Sequence, residues 1–163
     1  MNKEFIIRIF LSNTQGSSFQ RGYVYSGNAT PQEKEKFQDD FRARLRALEE
    51  RYAQPITEED HYKTILEFAE QLSRSHGNAL ANRKLRIGIA QKAINLYLKF
   101  LWSFDFIPEP PHCPIDRIVL TEIGINKNWT ELDSMEEYKS IIKTIKQCAG
   151  EKSLAQWEHD LWN

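Results

Sequence analysis

With 163 residues, 40% hydrophobic and 28% charged, the chain has the size and composition of one soluble domain with a substantial core. A formal net charge of −1 excludes the global basic field that advertises nucleic-acid binding and leaves room only for local patches. Two cysteines, Cys113 and Cys148, without ligand-type spacing argue against a disulfide framework or a metal cage, and for free thiols in a cytoplasmic setting.

The apolar run in "MNKEFIIRIFL" is short and broken by Arg8, so it reads neither as a signal peptide nor as a membrane span. Residues 4–11 are β-branched and aromatic, and "GYVYS" (22–26) follows a Gly/Ser-rich loop. Together they predict a small N-terminal β-hairpin or two edge strands over residues 1–29. From Thr30 the pattern becomes helical. "TPQE" is a capping box with Pro31 at the first helical position, and Phe37, Phe41, Leu45, Leu48 and Tyr52 recur at helical spacing over 31–53. Thr57, Glu58, Glu59 and Asp60 open a second helix over 58–75, with Gly77 as its stop. The third, 89–104, is apolar around most of its circumference and should be the most buried. A short helix starting at Pro114 follows a Pro-rich return. "SMEE" at Ser134 and "SLAQ" at Ser153 then cap two more helices, the last holding Trp157 and Trp162. The expectation is a single mainly α domain, a compact bundle of about six helices over 30–163 beside the hairpin.

On the central helix Gln91, Lys92, Asn95 and Lys99 fall three or four residues apart and share one polar stripe. That stripe could simply meet solvent. Alternatively Lys92, near the helix N-terminus and beside apolar walls, is an amine nucleophile favoured in its neutral form. From Lys92 to Trp102 a helix rises ~15 Å. Residues 103–113 can reach ~35–40 Å when extended, so Asp116 can return to the Lys92 end. "PIDR" would set Pro114 at a helix start and Asp116 in its first turn, where a carboxylate is favoured with or without a function. His112 and Cys113 have no second His/Cys cluster at ligand spacing. His112 is assigned a phosphate contact or a cap on the Asp116 helix.

The ordered pattern "GIAQKA…L…PIDRIV", about residues 87–119, resembles the signature of the helix-hairpin-helix DNA glycosylases, especially the archaeal type of 8-oxoguanine DNA glycosylase/AP lyase. That resemblance implies a helix-hairpin-helix core in which Gly88 is the hairpin glycine, Lys92 the Schiff-base lysine and Asp116 the catalytic aspartate. It also implies base flipping and DNA repair without metal or cofactor. The sequence departs from the pattern at Ala90, where a second hairpin glycine is usual, and few helices precede the hairpin. On this reading the Gly88 and Ala90 amides, with Arg83, Lys84 and Arg86 of "NRKLR", Lys99 and His112, hold duplex or single-stranded DNA. Phe100, Trp102 and Phe104 are nominated as walls for a flipped base. A second reading stays beside it: a non-catalytic helical module that binds DNA or a protein partner, as a subunit of a larger assembly such as a phage-defence complex.

Overall fold

The computed structural model describes residues 2–20 and 23–163. Among them seven α-helices follow in chain order: α1 Lys3–Phe19, α2 Pro31–Arg51, α3 Glu58–His76, α4 Ile87–Ser103, α5 Arg117–Glu122, α6 Met135–Ala149 and α7 Leu154–Asp160. Two 3₁₀ turns, Ala81–Arg83 and Trp129–Glu131, precede α4 and α6 respectively. The mainly helical expectation holds. No helix among the described residues is long and apolar enough to cross a membrane.

The expected N-terminal hairpin is replaced by α1. Asn2 caps it, accepting from the Glu4 amide at 2.9 Å. Its buried side chains, Ile7, Phe10, Leu11, Thr14 and Ser18, recur at three- and four-residue steps, a helical stripe that outweighs the β propensity of "FIIRIF". Of "GYVYS", Gly22 lies outside the described residues. Tyr25 pairs antiparallel with Leu80 in an isolated bridge, not with residues 4–11. Ser26 N–H donates to the Ala79 carbonyl and Ala81 N–H to the Val24 carbonyl, each at 2.9 Å.

Helix α4 is the hub, in contact with α1, α2, α3, α6 and the Trp129 turn. Ile89, Ala90, Ala93, Ile94, Tyr97, Leu98 and Leu101 are each at most 1% exposed. Ala90 and Ala93 let neighbours approach the backbone, while each large apolar side chain contributes about 1.5–3 kcal/mol by leaving water. Of the caps at Thr30, Ser134 and Ser153, only Thr30 with Glu33 closes in both directions. Ser134 and Ser153 accept from Glu137 and Gln156 N–H without the reciprocal bond.

Two turns aim the return chain. Helix α4 ends at Asp105 with φ 58°, where Phe106 N–H reaches the Leu101 carbonyl and Asp105 N–H the Trp102 carbonyl. That is a Schellman closure with aspartate in the usual glycine place. Helix α5 ends the same way at Gly124, φ 75°. The expected helix start at Pro114 moves to Arg117. Ile115 is held on both its N–H and its carbonyl by the Gln91 side chain, and Asp116, extended at φ −131°, is the N-cap itself.

Candidate functional site

Lys92 and Asp116 meet. The Lys92 Nζ donates to Asp116 Oδ2 at 3.1 Å, and the side chains are 10% and 14% exposed. Asp116 Oδ1 accepts from Val119 N–H at 3.0 Å, so one carboxylate caps α5 and holds the amine. The Trp129 ring, from the segment after α5, is centred 5.9 Å from Lys92 Nζ.

What sets this geometry is Gln91. Its Nε2 donates to the Ile115 carbonyl at 2.7 Å and to the Gly88 carbonyl at 3.0 Å, while its Oε1 accepts from Ile115 N–H at 3.0 Å. The side-chain amide thus pairs with the return chain as a strand would, one residue before Asp116 and one residue from Lys92. Nothing in the sequence marks Gln91 out beyond its place on the polar stripe.

The rest of that stripe turns inward. Asn95, fully buried, starts a hydrogen-bond chain whose directions follow from its partners. Asn95 Oδ1 must accept from His61 Nε2 at 2.8 Å, which makes His61 Nδ1 the acceptor of the Tyr52 hydroxyl at 2.6 Å. Asn95 Nδ2 donates to the Tyr138 oxygen at 3.1 Å, and Tyr138 donates to His112 Nδ1 at 2.7 Å. His112 Nε2 then faces Glu58 Oε2 at 3.3 Å, beside Lys146. Burial holds His61 down to about 3 and pushes His112 down as well, so both imidazoles are neutral in this chain. Glu58 is held down to about 2, first by His112 and, after desolvation opposing it, by Lys146. His112 is 1% exposed and bonded to Tyr138. It therefore neither reaches a phosphate nor caps α5, the two roles expected of it. Cys113 is buried and desolvation pushes its thiol up, which leaves it an inert core group.

The remaining candidates scatter. Gly88 N–H donates to the Leu132 carbonyl at 2.6 Å, and Ile89 and Ala90 N–H both point to the Arg86 carbonyl. These amides are committed inside the fold rather than offered to a phosphate. Gly88 is required for a different reason: a Cβ there would be driven into the Trp129 carbonyl oxygen and lie 3.0 Å from that of Leu132. Lys99 sits between Glu158, at 2.9 Å and 2% exposed, and the Trp162 ring at 5.2 Å, so it ties α7 to α4. Arg83 donates to Asn78 and Lys84 to Asp133. Phe100 and Phe104 pack on Phe10 of α1 at the far end of α4, and Trp102 lies against His159. None of the three walls a site near Lys92.

The aromatic wall that does is Trp129. It lines a cavity of about 430 Å³ with Tyr23, Arg86, Arg117, Asn128 and Glu131. Arg117 follows Asp116 directly, and Arg86 is the N-cap residue of α4. Lys92 and Asp116 do not line this cavity; they share Trp129 with it. Among the described residues no three His, Cys, Asp or Glu side chains converge as a metal cage would. Comparison with protein-family models, with curated proteins and with solved structures finds no match to this chain.

Proposed function

We propose that this chain is a DNA glycosylase-like enzyme in which Lys92 is the nucleophile and Asp116 its assisting carboxylate. The observation that carries the reading is the sheltered 3.1 Å contact between two groups 24 positions apart, on separate elements clamped together by Gln91. Lys99 and Glu158 form a comparable sheltered pair that only ties α7 to α4; the Lys92–Asp116 pair differs in adjoining, through Trp129, a cavity that carries two arginines.

The chemistry follows from the pair. Lys92 in its neutral form bonds to the anomeric carbon of a nucleotide sugar as the carbon–nitrogen bond to the base breaks. The base leaves with the bonding electrons and takes up a proton. Asp116 receives the proton that the resting ammonium must give up and passes it on to the departing base; charged again, it stabilises the cationic sugar. The sugar ring then opens: the bond from the anomeric carbon to the ring oxygen breaks, the amine nitrogen gives up a proton and the ring oxygen takes one up, leaving the imine that a lyase would carry forward. The flipped nucleotide, extruded at a cost of a few kcal/mol, would rest beside Trp129.

A second reading, a non-catalytic nucleic-acid-binding module, is favoured by one observation: the pair is closed on itself and lines no part of the adjoining cavity. Borohydride trapping separates the two. Oligonucleotides carrying abasic sites, 8-oxoguanine, uracil or modified cytosines are incubated with the protein and with Lys92→Ala. A covalent adduct lost in the variant supports the enzyme. No adduct and no base release leaves the binding module.

A further inference from the structure

We infer that the cavity between Arg86, Arg117 and Trp129 binds a phosphodiester-linked nucleotide, with the phosphate on the two arginines and the base against Tyr23 and Trp129. This deepens the reading above, because a nucleotide held there would adjoin Lys92, but it is measured by binding alone and needs no chemistry.

The charges of the lining decide the ligand class. Arg117 is exposed and, among the described residues, makes no ion pair or hydrogen bond through its side chain. Arg86 is half-buried and its guanidinium makes a single long contact, 3.4 Å to the Tyr23 carbonyl. Lys127 also lines the cavity but is paired with Glu137. Most other cations around the candidate site are spent: Lys84 on Asp133, Lys92 on Asp116, Lys99 on Glu158. In a chain of net charge −1, two guanidiniums without carboxylate partners on one concave wall form an anion site, since the planar fork matches phosphate oxygens.

The sign balance narrows the anion. Glu131 opposes the two arginines, leaving a surplus of about one positive charge. A phosphodiester carries one negative charge, whereas a terminal phosphate carries about −1.5 to −2. A link within a strand therefore fits better than a free mononucleotide. The aromatic requirement comes from Tyr23, 86% exposed at the rim, and Trp129, 7% exposed at the wall. Tyr23 offers an open ring face on which a base can stack, which every base supports, and Trp129 closes the apolar wall behind it. A volume of about 430 Å³ is in the range of small-molecule sites, enough for one unpaired nucleotide and too small for a duplex.

Fluorescence anisotropy of a labelled single-stranded oligonucleotide, at low and raised salt, tests this. Competitors are the matching free 5′-mononucleotide, the nucleoside and inorganic phosphate. Arg117→Gln and Arg86→Gln should each weaken binding about tenfold and flatten the salt dependence by about one phosphate contact. Tyr23→Ala should weaken it, and Lys63→Gln, an exposed position on α3, should leave it unchanged. Wild-type affinity in Arg117→Gln, or an equal loss in Lys63→Gln, overturns the site. Competition by nucleoside or phosphate as strong as by the strand removes the two-part ligand, and a tighter free mononucleotide overturns the phosphodiester assignment. Arginine-dependent binding without any trapped adduct would end the catalytic reading and leave this site standing, and the converse result would do the reverse.

Discussion

Replacing Gly88 with alanine tests what that glycine is for. In an open helix start the change would be favourable by about 0.8–1.0 kcal/mol of helix propensity. Here the new methyl would overlap the Trp129 carbonyl oxygen and crowd the Leu132 carbonyl, both backbone atoms that no rotamer change can move. Restoring contact near ~3.5 Å requires the 129–132 segment to retreat by roughly 1 Å or more. That retreat breaks the 2.6 Å bond from Gly88 N–H to Leu132, about 1 kcal/mol, and loosens Trp129 and Leu132, which are 7% and 1% exposed. Overpacking of this kind costs about 1–3 kcal/mol. The net expectation is a loss of about 1–3 kcal/mol, or roughly 2–12 °C in Tm for a chain of this length. Urea and thermal unfolding followed by circular dichroism measure it, with Trp fluorescence to detect movement of Trp129. If Gly88→Ala is as stable as wild type or more so, the close approach is not the reason for the glycine.

Three further predictions concern the pair and the buried chain. Asp116→Asn keeps an N-cap oxygen but removes the charge beside Lys92, whereas Asp116→Ala removes both. Both should lower adduct formation about 10²-fold, and the alanine variant should be less stable than the asparagine variant by about 1 kcal/mol, read from urea midpoints. Gln91→Met leaves the buried N–H and carbonyl of Ile115 without partners and should cost about 2–5 kcal/mol, with loss of trapping as Asp116 drifts from Lys92; stability within 0.5 kcal/mol of wild type, a difference of about measurement size, would contradict the clamp. His61 is neutral when folded and held down to about 3, so the unfolded chain binds the extra proton below its ordinary 6.5. Stability should therefore fall as pH drops from 7 to 5, by about 2 kcal/mol from His61. His112 adds in the same direction, while Glu58 loses its contribution only below about pH 4.5. A flat urea midpoint across that interval would refute the neutral-imidazole chain.

The helices of the bundle could be read because local chemistry specifies them: Thr30, Thr57, Ser134 and Ser153 cap where the apolar stripes begin, and each accepts from an amide three residues on. The N-terminus misled because "FIIRIF" satisfies β propensity by composition while Ile7, Phe10, Leu11 and Thr14 satisfy a helix by spacing, and burial against α4 rewards spacing. The meeting of Lys92 with Asp116 was legible from chain reach. The wall beside it was not. Trp129 arrives through the fold of 124–132 back onto Gly88, and the only trace in the sequence is a glycine where helix propensity would place alanine. Lys99 and His112 looked available because charge and imidazole read as surface; Glu158, Tyr138 and the interior they lie in are contributed by α6 and α7, far along the chain.

The most direct test of the central claim is to locate the bond. After borohydride reduction with an abasic-site or damaged-base oligonucleotide, the protein is digested and the modified peptide sequenced by mass spectrometry. The sugar remnant should be found on the Lys92 amine, absent in Lys92→Ala and strongly reduced in Asp116→Asn. A remnant on other lysines with Lys92 unmodified, or none on any substrate, would contradict the claim.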